Sequence, residues 1–123
     1  MEINNPQVLA EVSAAFQRYQ DAVIANDIPV LNELFWDHAL TLRYGVGENL
    51  YGHQAIAGYR SARSPAGLAR EETKRVVTSY GRDYATTNIE FTRQGRLGRQ
   101  SQAWARMPEG WRIVAAHVSY MEV

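Results

Sequence analysis

The feature that most limits the fold lies in the second half of the chain, where strand-length segments are joined by connectors too short to cross a sheet. Residues 72–80, 84–93, 99–107 and 111–121 are rich in β-branched and aromatic side chains and alternate with period two, which predicts four strands. Between them stand Gly81-Arg82-Asp83, Gln94-Gly95-Arg96-Leu97-Gly98 and Pro108-Glu109-Gly110. A parallel neighbour needs a crossover of a dozen residues or more, so these strands pair antiparallel. Such a meander twists strongly, and its apolar face needs cover.

The first half supplies that cover. Residues 6–26 predict a helix, with Asn5 as cap and Pro6 in the first turn. Leu9, Val12, Phe16, Tyr19 and Val23 recur at three- and four-residue steps and form its apolar stripe. Asn26-Asp27 ends it, and Pro29 opens a short second helix that buries Val30, Leu31, Leu34 and Phe35. Residues 40–44 alternate as a strand closed by Gly45-Val46-Gly47, and residues 49–52 form a turn or short strand. A third helix spans about 53–63, with Ile56 sharing a face with Tyr59 or Arg60, until Ser64-Pro65-Ala66-Gly67 breaks it. Helices first and strands afterwards make an α+β fold. We expect one domain over residues 1–123, with about three helices held in a strongly curved, mostly antiparallel sheet.

Charge narrows the ligand class. Thirteen basic residues balance thirteen acidic ones, so no long-range field draws nucleic acid or an anionic membrane. Yet eleven of the thirteen bases lie between Arg60 and Arg112, and only one of the thirteen, Lys74, is a lysine. The planar guanidinium fork suits carboxylates, so a local anion site is expected within a neutral molecule. The chain has no cysteine, which removes disulfides, thiolate zinc sites and a cysteine nucleophile. His38, His53 and His117 have no metal-ligand spacing, and neither a serine elbow nor a phosphate-cradling loop occurs. No metal and no cofactor are therefore expected. Residues 1–6 show no leader pattern and no stretch is long and apolar enough to span a bilayer, which predicts a cytoplasmic protein.

The last strand points to a pocket. On strict alternation Trp111, Ile113, Ala115, His117, Ser119 and Met121 face one side, and Arg112, Val114, Ala116, Val118 and Tyr120 the other. Ala115, His117 and Ser119 leave space and add hydrogen-bonding groups, as a ligand cavity does. Val114, Ala116, Val118 and Tyr120 then form an apolar face, which predicts a homodimer. Tyr19 lies on the stripe that the sheet embraces, Arg43 on a strand, and Arg60 and Arg63 three residues apart on the third helix. The competing readings are a core histidine, a core tyrosine with a satisfied hydroxyl, and arginines solvated at a helix end. Trp36 and Trp104 serve equally as core or as cavity wall.

Three stretches carry a resemblance. They are Arg43-x-Gly45-x-x-Glu48-Asn49, Tyr59-Arg60-x-x-Arg63, and the closing run from Gly110-Trp111-Arg112 to His117-Val118-Ser119. Together with Tyr19 in its helix they resemble the AtzH-like family of the nuclear-transport-factor-like (SnoaL-like) superfamily, across nearly the whole of residues 6–121. The resemblance implies a cone-shaped α+β fold shared with ketosteroid isomerase and scytalone dehydratase. It also implies an amidohydrolase that decarboxylates 1,3-dicarboxyurea to allophanate and works beside an amidase in nitrogen catabolism.

On that reading Tyr19 is the proton donor, since a nearby cation stabilises a phenolate. Arg43 clamps a carboxylate, and His117 positions water or polarises the carbonyl. Arg60 or Arg63 holds a second carboxylate, with Trp36, Trp104 and Ser119 lining the substrate. Two alternatives stand beside it. One is a non-catalytic small-anion-binding or amidase-accessory protein. The other is an isomerase or dehydratase, which calls for a carboxylate or histidine–aspartate pair in the cavity.

Overall fold

The computed structural model describes residues 1–122. Helix α1 (Pro6–Ala25) starts where expected: Asn5 Oδ1 accepts from the amides of Gln7 at 3.1 Å and Val8 at 3.2 Å, occupying donors that the first turn leaves free. It stops at Asn26, whose φ of 51° is the left-handed cap that asparagine tolerates. Helix α2 (Ile28–Leu34) is capped by Asp27, which accepts from the Val30 amide at 3.3 Å. The short strands β1 (Leu42–Tyr44) and β2 (Asn49–Tyr51) precede helix α3 (His53–Ala62). Strands β3 (Glu71–Tyr80), β4 (Tyr84–Arg93), β5 (Arg96–Met107) and β6 (Gly110–Tyr120) follow.

The six strands form one sheet in the order β2-β1-β6-β5-β4-β3, antiparallel except where β1 runs parallel to β6. The β3 to β6 meander is the one expected. Two boundaries differ. The first strand is shorter than 40–44, because Thr41 is turned inward and donates its hydroxyl to the Trp36 carbonyl at 2.7 Å, leaving Leu40 73% exposed. The β4–β5 connection shrinks to Gln94-Gly95, whose φ angles of 52° and 78° make the tight two-residue hairpin turn that matches strand twist.

The concave face holds the core. Val8, Val12, Phe16 and Val23 of α1 meet Ala85, Ile89 and Phe91 of β4, Trp104 of β5, and Trp111 and Ile113 of β6. Trp104 is wholly buried, and its indole N–H donates to Thr87 Oγ1 at 3.0 Å, so the ring fills the core with its one polar atom satisfied.

One irregularity redirects the last strand. Ala103 pairs with Ala115 but Trp104 pairs with Ile113, so Val114 is an extra residue opposite no partner. Trp111 and Ile113 face the helices as alternation requires. Beyond the bulge the phase reverses, and Ala116, Val118 and Tyr120 face inward while Ala115, His117 and Ser119 face outward. The expected assignment of faces is therefore inverted for residues 115–120, and Ala116, Val118 and Tyr120 of the set expected on a dimer face belong to the interior.

Candidate functional site

A cavity of about 400 Å³ opens at the end of the cone between α1, α3, β1, β6 and the β4–β5 turn. Tyr19 reaches it from α1, 4% exposed, stacked against Phe16 and tilted on Phe35 at centroid distances of 6.4 and 6.1 Å. Arg43 reaches it from β1. Because Arg43 pairs with inward-facing Ala116, it shares the concave face, whereas Tyr44 pairs with outward-facing His117. The parallel β1–β6 ladder thus brings a residue of the first half beside the last strand, where Val118 and Tyr120 also line the hollow.

Arg63 joins them from the end of α3, and its Nε and Nη2 are sealed from solvent without a hydrogen-bond partner. Burial, with Arg43 nearby, holds the Arg63 pKa below its ordinary value.

The cavity carries more positive charge than the sequence reading assigned to it. Arg70, Arg93 and Arg96 line it with Arg43 and Arg63, against Glu48 as the one carboxylate among the described residues. Glu48 Oε1 accepts from Arg43 at 3.0 Å and Oε2 from the Gly47 amide at 3.2 Å. Its side chain lies over Gly45, where a Cβ would stand 1.6 Å from Oε1, so a larger residue there would push the Glu48 carboxylate aside. Arg93 Nε donates to the Gly67 carbonyl, tying the segment after α3 across the mouth. Arg70 lies over the Phe91 ring at 4.9 Å and Arg96 over Tyr120 at 4.2 Å, so aromatic faces rather than acids hold these cations. Their clustering between residues 60 and 112 was the available signal; which of them converge was not written in any local spacing.

Arg60 is neither solvated nor in the wall. It is 3% exposed beneath the cavity, its guanidinium 4.4 Å from the Phe35 ring centre and donating to the Leu31 carbonyl at 3.4 Å. Among the described residues no carboxylate pairs with it. Burial drives its pKa down to about 10, and the Tyr19 hydroxyl is the strongest influence in the opposite direction.

Four other expected site residues lie elsewhere. His117 is exposed on the convex face, edge-on to Tyr44 at 5.7 Å, because the bulge at Val114 turned it outward. Ser119 is turned outward with it and accepts from Arg99 Nη2 at 3.2 Å. Trp104 is core, and Trp36 stacks on His38 at 4.1 Å outside the cavity lining. Sequence reading overlooked Gln100, and it quoted Glu48 and Tyr59 only within motifs without placing them in the site; all three line it. Among the described residues no three His, Asp or Glu side chains group as a metal site would need, and no helix is long and apolar enough to cross a membrane.

Known proteins give the same architecture. A crystal structure of a protein of unknown function from the DUF3225 family of Pectobacterium atrosepticum is 55% identical, with a TM-score of 0.95 over 98% of this chain and 95% of that one. A cystatin-like fold protein from Burkholderia xenovorans is 45% identical, with a TM-score of 0.94 over 100% and 98%. An NTF2-like protein of unknown function from Pseudomonas putida shares the fold at 16% identity and a TM-score of 0.78, over 92% and 86%. No curated protein matches the chain. The AtzH-like family matches residues 1–123. The chain belongs to the AtzH-like family.

Proposed function

We propose that this protein is a cofactor-free amidohydrolase that removes a carboxyl group from a small dicarboxylated urea of the 1,3-dicarboxyurea type. The observation that carries the reading is a phenol in a hollow that, among the described residues, is lined by five arginines and one carboxylate, an excess of positive charge that a dianion reduces by half. A volume near 400 Å³ suits a ligand of that size.

One substrate carboxylate meets Arg43, sharing that guanidinium with Glu48, and the other meets Arg63, which lines the same hollow. Tyr19 gives its hydroxyl proton to the nitrogen bearing the carboxylate to be lost. The C–N bond breaks, its electron pair stays on nitrogen, and carbon dioxide departs. Solvent returns a proton to the phenolate, so the sum is dianion plus proton giving allophanate and carbon dioxide. Arg60, buried without a carboxylate beside the Tyr19 oxygen, offsets the charge that the phenolate bears meanwhile. One positioned acid accelerates such a step by about 10²–10⁴-fold.

Tyr19→Phe and Arg43→Ala should each reduce turnover of 1,3-dicarboxyurea at least about 100-fold while far-UV circular dichroism stays unchanged. Full activity in either variant refutes the assigned roles. Binding without any product in the unaltered protein points instead to an anion-binding or amidase-accessory protein.

A further inference from the structure

A chain of three hydrogen-bonded side chains, Glu72, Gln20 and Gln100, reaches the cavity from the β3 edge of the sheet, and its order is dictated by its first member. At the surface Arg75 grips Glu72, Nε to Oε2 and Nη2 to Oε1, both at 2.7 Å. Glu72 Oε1 also receives Gln20 Nε2 at 3.3 Å, and Gln20 Oε1 receives Gln100 Nε2 at 3.2 Å. Gln20 is 4% and Gln100 6% exposed, so neither amide exchanges partners with bulk water.

An ionised carboxylate only accepts, and Arg75 holds the Glu72 carboxyl below the usual range. Gln20 must therefore turn its NH₂ toward Glu72 and its carbonyl toward Gln100. Gln100 must in turn spend its NH₂ on Gln20. Gln100 lines the cavity, and its carbonyl oxygen, which receives no hydrogen bond from the described residues, is the atom left to face it. Among arginine and tyrosine donors this makes an acceptor whose orientation is fixed from 80 residues away in sequence.

We propose that Gln100 is a specificity residue that accepts an N–H from the bound anion, and that Glu72 and Gln20 are positioning residues that keep its carbonyl turned inward. The site then selects carboxylated amides and ureas over plain dicarboxylates of the same shape, because a ligand with CH₂ at that point leaves a buried acceptor unpaired. This rests on the anion-site reading above but not on the proton transfer.

N-oxalylglycine and 2-oxoglutarate are a matched pair of dicarboxylates differing only in NH against CH₂, and titration calorimetry gives their Kd values. The unaltered protein should prefer N-oxalylglycine by roughly tenfold or more. Gln20→Met, which does not touch the ligand, and Glu72→Gln, which removes the acceptor-only end of the chain, should each cut that preference to about threefold or less, with 2-oxoglutarate affinity little changed. Equal Kd values in the unaltered protein overturn the role of Gln100 and leave the anion site standing. Failure of both compounds to bind overturns both readings. A preference that survives in both variants overturns the relay.

Discussion

Replacing Arg60 with methionine should make the protein more stable and less active. The guanidinium is 3% exposed and has no carboxylate partner, and burial lowers its pKa to about 10. The unfolded chain keeps the ordinary, higher value, so it binds the proton more tightly than the folded protein does. Stability is thus reduced at every pH below about 10 and recovers only as the pH rises from there toward the ordinary guanidinium value. The displacement corresponds to roughly 3 kcal/mol at neutral pH.

Against this stand the contact with the Phe35 ring at 4.4 Å, about 1 kcal/mol, and the long bond to the Leu31 carbonyl, about 1 kcal/mol. Methionine fills a similar volume without charge. The net expectation is a gain of roughly 1 kcal/mol, a rise in Tm of about 4 °C for a chain of this size. Urea unfolding at pH 7.5, followed by fluorescence of the buried Trp104 and Trp111, measures it directly. The same variant should lose about tenfold or more in kcat, since the charge beside the Tyr19 oxygen is gone. A loss of more than about 1 kcal/mol, or unimpaired turnover, refutes the view that this cation is kept at a cost in stability for the site it underlies.

Two further outcomes follow from the two faces of the sheet. Glu11 accepts from Trp111 Nε1 at 3.1 Å and Arg106 Nη1 at 2.7 Å, and these bonds, Trp111 first, hold its carboxyl below the ordinary value of 4.5. Its contribution is present above that value and disappears as the pH falls below it, so the urea midpoint of Glu11→Gln should fall less between pH 5 and pH 3 than that of the unaltered protein, and identical slopes would remove Glu11 from the account. On the convex face Leu42, Tyr44, Ala103, Ala115 and His117 line a shallow groove, which we propose as the homodimer face in place of the interior set. Light scattering should give twice 13.9 kDa for the unaltered protein and the single mass for Ala115→Arg, and a monomer in both cases ends the proposal.

The sequence alone was enough for the order of elements, the antiparallel meander and the α1 cap, because turns, caps and period-two alternation are local and their residues carry the geometry with them. It also placed Tyr19 on the embraced stripe and Arg43 on its strand. Tertiary structure decided the rest. Valine is a good strand former, so nothing at Val114 marks a bulge; the extra residue exists only in the register against β5, where Ala103 and Trp104 pair with Ala115 and Ile113. One unpaired residue was enough to move His117 and Ser119 out of the cavity and Val118 and Tyr120 into it. Likewise an arginine in a helix reads as solvated until Phe35 closes over it, and glutamines 80 positions apart carry no mark of their bond. Burial and strand register are relations between distant segments, and they arise only when those segments meet.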